Sequence, residues 1–168
     1  MAGLDLTAAP RSILFLCGMN AVRSPMAEQL ARRMLPPATF VASAGVHRGE
    51  RDPFVDAVLA EEGLTLGERQ PRSMDDLEDD YFDLIVTLAP EAHHAALELT
   101  RSLAEAHHAA LELTRSLAVD VEYWPMPDPT DVGGRREQIM ASYRDVRERL
   151  KARISRRFLL PEVKNAAD

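Results

Sequence analysis

The chain has 168 residues, 46% hydrophobic and 28% charged, and a net charge of −7 that gives no long-range attraction to nucleic acid or to an anionic membrane. Its length suits a single domain with its own core, and its single cysteine excludes an intrachain disulfide framework and a cysteine-rich metal site. The lone cysteine and the lack of a signal-peptide or membrane-span pattern predict a cytoplasmic protein. We expect residues 1–10 and 164–168 to be flexible.

The hydrophobic pattern alternates strands with helices along the chain. The predicted strands are 12–17, 39–45, 82–88 and 119–124. The predicted helices are 24–35, 52–64, a long segment from Pro90, and 135–158, with a proline-rich loop at 125–134. This order predicts an α/β fold, a single-domain three-layer αβα sandwich with a central, mostly parallel four-stranded sheet, over residues 1–168. Ligands of such sheets bind beyond the carboxyl ends of the strands.

An identical tandem repeat lies within the long helix. The sequence EAHHAALELTRSLA occupies residues 91–104 and recurs unchanged at 105–118. The unit is too short for the common repeat architectures, so we interpret it as a recent duplication, natural or engineered. Its paired histidines are interpreted as solvated helix surface rather than as metal ligands, because adjacent helical residues point about 100° apart.

The only cysteine stands six residues before an arginine in the stretch CGMNAVRS, residues 17–24. Cys17 ends the first predicted strand, while Arg23 and Ser24 open the next helix. Cys17 is either a small buried hydrophobic residue or a nucleophile in a phosphate cradle. The second interpretation explains more of the pattern, because loop N–H groups and a helix N-terminus favour a dianion and a thiolate. The planar guanidinium of Arg23 can also hold two phosphate oxygens at once.

The whole pattern resembles a low-molecular-weight protein tyrosine phosphatase. The opening signature of that family is matched by Cys17, Asn20, Arg23, Ser24, Pro25, Ala27 and Glu28. The segments SAG at 43–45, FDLIVTL at 82–88 and DP at 128–129 also fall where the family has similar sequences. With one copy of the repeat set aside, the resemblance spans nearly the whole chain.

The resemblance implies hydrolysis of phosphomonoesters through a phosphocysteine intermediate. Cys17 would be the nucleophile, Arg23 the phosphate clamp and Asp128 the general acid and then base. The chemistry agrees, since the leaving oxygen needs a proton and the attacking water must lose one. Asp131 is the second candidate for this acid.

The resemblance also implies which residues support the loop and which partners the protein has. Asn20 and Ser43 would hold the loop open, and Ser24 would donate to the thiolate. The predicted phosphate-binding and loop-supporting residues are Gly18, Met19, Asn20, Ala21, Val22, Ser24 and Ser43. The expected ligand is a phosphate ester, phosphotyrosine or a free oxyanion; we expect no metal, no cofactor, no nucleic acid and no membrane.

The chain departs from the family pattern at three places. Met19 stands where the family usually has glycine, and a methionine would be strained there if the position needed a positive φ. Val22 replaces a second loop cysteine, which excludes a disulfide within the loop. Residues 130–132, Thr-Asp-Val, replace the aromatic residues that commonly follow the Asp-Pro pair, so the preference for phosphotyrosine stays open.

Two other functions stay open. An arsenate reductase on the same fold shares cysteine attack on an oxyanion, but this chain lacks further cysteines and would need an external thiol. A non-catalytic phosphate-binding module is the other alternative, and an Asp128 remote from Cys17 would favour it. We expect Tyr123 and Trp124 to lie in the core and the crevice wall. We also hypothesise that the duplicated helix exposes a leucine face and promotes a homodimer.

Overall fold

The computed structural model describes residues 10–78, 81–107 and 119–159, in which strands and helices alternate. The strands are β1 Ser12–Cys17, β2 Phe40–Gly45, β3 Leu84–Thr87 and β4 Asp120–Tyr123. The main helices are α1 Arg23–Met34, α2 Pro53–Ala60, α3 Pro90–His107 and α4 Arg136–Ile154. Short 3-10 turns occupy Met74–Asp76 and Pro129–Asp131, and a π-helical turn occupies Ser155–Leu159.

The four strands form one parallel sheet in the order β2-β1-β3-β4. β1 pairs with β2 along its whole length, from Ser12 opposite Phe40 to Cys17 opposite Gly45. The predicted α/β sandwich is therefore confirmed, with a sheet that is parallel throughout. Because all strands run the same way, the carboxyl ends of β1, β3 and β4 meet at one edge, and Cys17 stands at that edge.

Two cores cover the two faces of the sheet. Phe15 and Cys17 of β1 face the layer built by α1, α2 and α4, whereas Leu14 and Leu16 face α3. This alternation follows from the two-residue period of a strand. It also explains why the central strands β1 and β3 are almost continuous apolar runs, since both of their faces are buried. The edge strand β4, Asp-Val-Glu-Tyr, is only partly buried.

Local sequence explains where α2 begins and ends. Asp52 caps α2 by accepting a hydrogen bond from the N–H of Phe54 at 2.8 Å, and Pro53 occupies the first turn. α2 ends at Ala60, earlier than predicted, and the chain turns through Gly63 with φ 72°. α4 is regular only to Ile154, where the prediction had it continue to Phe158.

The first copy of the repeat packs on the sheet. Ala92 and Ala96 are fully buried against the sheet, and the partly buried Leu99 packs against the same core. Leu97 is 42% exposed. α3 continues from the first copy into the start of the second, at His107. The remainder of the second copy, 108–118, lies outside the described residues, so the elongated helix stays a prediction. Within the described residues, no helix is long and apolar enough to cross a membrane.

Candidate active site

The first half of the loop from Cys17 to Arg23 directs its carbonyl groups towards the segment that follows β2. The carbonyls of residues 17–19 accept hydrogen bonds of 2.8 to 3.1 Å from the N–H groups of Val46, His47 and Gly49. In a planar trans peptide the C=O and the following N–H point in opposite directions. The N–H groups of residues 18–20 therefore point away from this neighbouring segment. An inward ring of N–H groups is the arrangement that binds an oxyanion.

The left-handed backbone position of the loop is Asn20, with φ 54°, and Met19 is not in that region. Asparagine tolerates this conformation better than most residues. The strain considered for Met19 therefore does not arise, and its side chain is 47% exposed. Gly45 on β2 lets this part of the loop approach closely, because a Cβ there would stand 2.6 Å from the backbone nitrogen of Asn20.

A buried hydrogen-bond network surrounds the cysteine. Cys17 Sγ lies 2.9 Å from Ser24 Oγ. The amide of Asn20 donates to Ser24 Oγ at 2.8 Å and to Ser43 Oγ at 2.9 Å, so both of its hydrogens are used. Its oxygen accepts from the N–H of Arg72 at 2.9 Å. The structure thus brings together four of the residues predicted from the sequence.

Arg23 and Asp128 meet beside this network. Arg23 Nη1 donates to the carbonyl of Met126 at 3.2 Å, and its Nη2 lies 3.8 Å from Asp128 Oδ2. Asp128 Oδ1 accepts from the N–H and the hydroxyl of Thr130 at 3.0 and 2.7 Å. Asp128, rather than the exposed Asp131, therefore makes the contact with the arginine that begins α1.

Comparison with known proteins shows to which family the chain belongs. The family model described as low molecular weight phosphotyrosine protein phosphatase matches residues 12–167. The chain belongs to this family. An arsenate reductase from Bacillus licheniformis is 27% identical over 146 residues, which cover 87% of this chain and 94% of that protein.

The similar solved structures include both tyrosine phosphatases and arsenate reductases. The tyrosine phosphatase amsI of Erwinia amylovora has a TM-score of 0.64 and 22% identity, covering 92% of this chain and 97% of its own. The arsenate reductase of Archaeoglobus fulgidus has a TM-score of 0.55 and 29% identity, covering 85% of this chain and 98% of its own. Membership of the phosphatase family supports an enzyme, either a phosphatase or an arsenate reductase.

A buried ion pair that was not predicted from the sequence lies next to the network around the cysteine. It is formed by Arg69 and Glu28, and Arg69 also contacts Ser43. Arg69 donates to Ser43 Oγ at 3.1 Å and pairs with Glu28, whose side chain is fully buried in α1. Burial lowers the pKa of Arg69 to about 10, and the positive charge of Arg72 acts in the same direction. The carboxylate of Glu28 offsets this unfavourable burial of charge. Glu28 was recognised only as part of the family signature.

Three further residues lie around the crevice. Trp124 is buried, with its ring edge-on to Phe15 at 5.9 Å, so it belongs to the core. Tyr123 is 38% exposed and stacks on His93 at 4.8 Å. The carboxylate of Glu91 lies where a side chain at Gly18 would stand, so Gly18 leaves room for it. Among the described residues, no cluster of His, Cys, Asp and Glu has the composition of a metal site.

Proposed function

We propose that the protein hydrolyses phosphomonoesters through a phosphocysteine on Cys17. The observation that carries this proposal is the position of Asp128, whose carboxylate lies 3.8 Å from the guanidinium of Arg23. Arg23 follows Cys17 by six residues in the same loop, so a phosphate held by the arginine has the sulfur and the carboxyl close by. A nucleophile, a clamp and an acid at one edge of the sheet support catalysis rather than binding alone.

In the first step the Cys17 thiolate attacks phosphorus and the ester P–O bond breaks. Arg23 and the loop N–H groups hold the three non-bridging oxygens as their negative charge is redistributed. Asp128, in its protonated form, donates its proton to the leaving oxygen, so the alcohol departs neutral. The products of this step are the alcohol, a phosphocysteine and an ionised Asp128.

In the second step a water molecule attacks the phosphocysteine. The Asp128 carboxylate accepts the proton of that water, the S–P bond breaks, and inorganic phosphate leaves. The departing sulfur becomes a thiolate, which can accept a hydrogen bond from Ser24 but cannot donate one. Because Asn20 already donates to the Ser24 oxygen, the hydroxyl proton is free to stabilise the sulfur.

Arsenate reduction is the second candidate, favoured by the similarity to two arsenate reductases at 27% and 29% identity. Cys17 would attack arsenate with release of water, and an external thiol would then attack the sulfur of the adduct. That attack forms a mixed disulfide and releases arsenite, and a second external thiol returns Cys17 to its reduced form. The two thiols supply the two electrons. Internal thiols cannot replace them, because Cys17 is the only cysteine of the chain.

A turnover assay distinguishes these functions. We expect release of phosphate from several aryl phosphates without added thiol, no thiol-dependent release of arsenite from arsenate, and neither activity in Cys17→Ser. Arsenite release that needs added thiol, with negligible phosphate release, would favour the reductase. Binding of inorganic phosphate without either reaction would favour the non-catalytic module.

A cytoplasmic location and a single domain over residues 1–168 are part of this proposal. A mechanism that depends on one reduced thiol suits a reducing compartment. The phosphate ester or a free oxyanion is the proposed ligand, and phosphotyrosine is one such ester. A homodimer formed through the duplicated helix is also proposed.

A further inference from the structure

An exposed carboxylate from α3 lies against the phosphate loop. α3 follows β3, and β3 lies beside β1 in the sheet, so α3 begins near the edge at which Cys17 stands. Glu91 belongs to the first turn of this helix. A Cβ at Gly18 would stand 3.3 Å from Glu91 Cδ and closer still to its Oε1. The carboxylate is therefore in contact with the residue that follows the nucleophile.

This contact, and not the backbone conformation, accounts for the glycine at position 18. Gly18 is not among the glycines of the described chain that have a positive φ, which are Gly63, Gly67 and Gly134. Any residue could therefore adopt its conformation. Apart from its chain neighbours, the described atoms that a Cβ at Gly18 would meet within 4 Å all belong to Glu91. The space in which a loop side chain would stand thus holds a charged group.

The charge of Glu91 is not neutralised by its surroundings. Among the described residues, Glu91 makes neither an ion pair nor a hydrogen bond. Two arginines of the neighbouring segments already face other carboxylates, since Arg23 lies 3.8 Å from Asp128 and Arg48 lies 2.7 Å from Asp76. The carboxylate of Glu91 is therefore available to act on the charge of a molecule that enters the loop.

We propose that Glu91 is a specificity-determining residue, which favours phosphate esters with a cationic group beside the phosphate and disfavours those with a second anion. The inference rests on the proposed hydrolysis and adds its substrate class. An ammonium or guanidinium group, such as a lysine or arginine side chain next to the phosphorylated residue, has the required charge. Repulsion of the wrong ligand and attraction of the right one both contribute to such a choice.

The distance is short enough for the charge to be felt. The N–H of Gly18 is one of those directed away from the segment after β2, where an oxyanion would bind, and the carboxylate contacts this same residue. A group beside the bound phosphate then lies within about 8 Å of Glu91, which is the Debye length at physiological ionic strength. Two unit charges about 6 Å apart in water change an affinity by about threefold.

Glu91 also has a simpler role, because a carboxylate in the first turn stabilises a helix. The two roles need different things of the side chain. The helix needs only a negative charge in its first turn, whereas selectivity needs a carboxylate that reaches Gly18. Glu91→Asp keeps the charge in the first turn and is one methylene shorter, so this variant separates the two roles.

Calorimetric binding of three phosphonates tests the proposal without requiring turnover. The probes are benzylphosphonates with a 3-aminomethyl, 3-ethyl or 3-carboxy substituent, which are similar in size and differ in charge. At low ionic strength we expect the wild type to bind the cationic probe about 10-fold or more tighter than the anionic one, with the neutral probe between them. In 0.5 M NaCl this ratio should fall to within about threefold.

Glu91→Gln should lower the ratio of the two affinities by about 10-fold at low ionic strength, and Glu91→Asp should lower it in part. Glu91→Gln should also bind inorganic phosphate up to about threefold tighter, because a repulsive charge has been removed. Loss of a merely structural residue would weaken that binding. Glu98→Gln is the matched control, since Glu98 is exposed about two turns further along the same helix and loses the same charge. It should leave the ratio unchanged.

Failure of this inference is distinguishable from failure of the proposed hydrolysis. No phosphate release by the wild type would reject the hydrolysis, whereas the order of the three probes would still be measured. A change of less than twofold in the ratio for Glu91→Gln, or an equal fall in Glu98→Gln, would overturn the assignment. The full wild-type ratio in Glu91→Asp would also overturn it, as would an equal loss of affinity for all three probes and inorganic phosphate in Glu91→Gln.

Discussion

Cys17 Sγ and Ser24 Oγ lie 2.9 Å apart and connect the end of β1 to the first turn of α1. The hydroxyl accepts from Asn20, so its own proton can be given to the sulfur or to the carbonyl of Ala44 at 3.3 Å. A thiolate is the stronger acceptor of the two. The nucleophile is therefore placed and stabilised by the same residues that shape the loop.

Cys17→Ser is expected to abolish hydrolysis of aryl phosphates while inorganic phosphate still binds. The oxygen of serine is nearly all protonated near pH 7, whereas the N–H groups and Arg23 are unchanged. Steady-state turnover and calorimetric phosphate binding check the two parts. Substantial residual hydrolysis in this variant would remove Cys17 from the mechanism.

Asp128→Asn is expected to slow hydrolysis most for esters with poor leaving groups, by about 100-fold or more. Esters whose leaving oxygen is stable as an anion need the proton less, so their loss should be smaller. The rate is measured as kcat over a series of substituted phenyl phosphates. Asp131→Asn is the matched control, because Asp131 is exposed three residues away. Equal losses across the series would count against general acid catalysis.

Asn20→Gly and Asn20→Ala separate the two tasks of the Asn20 position. Both variants lose the amide that bonds Ser24 and Ser43, so we expect kcat/KM and the affinity for inorganic phosphate to fall by about 10-fold. Only glycine accepts φ 54° without strain, so Asn20→Ala should also unfold at lower urea concentration than Asn20→Gly. Wild-type phosphate affinity in both variants would contradict the positioning role.

The fold and the centre of the site were predictable because their signals are local. Buried strands and helical spacing are readable within short windows, and Cys17, Arg23 and Ser24 lie within one eight-residue stretch. The pair of Glu28 with Arg69 and the packing of Phe54 on Tyr143 join residues far apart in sequence. No periodicity predicts such contacts, because they depend on how the helices pack. The left-handed conformation at Asn20 depends likewise on the segment against which the loop rests.

Glu61→Gln is expected to destabilise the protein more at pH 7 than at pH 3. Hydrogen bonds from Arg144 and then Arg147 lower the pKa of Glu61 from 4.5 to about 2. The carboxylate thus stabilises the fold above pH 4.5, and this contribution is lost as the pH falls from about 4.5 towards 2. Urea midpoints from pH 7 to pH 3 check this, with Glu98→Gln on the exposed side of α3 as control. A difference that stays constant with pH would contradict the assignment.

The duplicated segment offers a test of association. The first copy already packs on the sheet through Ala92, Ala96 and Leu99. Fourteen residues turn a helix by about 1400°, only about 40° short of four full turns, so a second helical copy would present nearly the same face. That face would have no sheet to cover it. We therefore expect Leu113, which repeats Leu99, and Leu117, one turn further along the same face, to favour self-association. Leu111 repeats Leu97, which is already exposed in the first copy.

Deleting residues 105–118 should convert a dimer into a monomer while turnover is retained. Because the two copies are identical, deleting either one gives the same sequence, with the remaining copy packed as the first copy is now. Cys17, Arg23 and Asp128 lie outside the repeat, so hydrolysis should stay within about twofold. Leu113→Lys in the full chain is the matched variant, since it makes the same face polar without shortening the helix. Light scattering gives the mass per particle, and an unchanged mass after the deletion would show that the repeat does not hold two chains together.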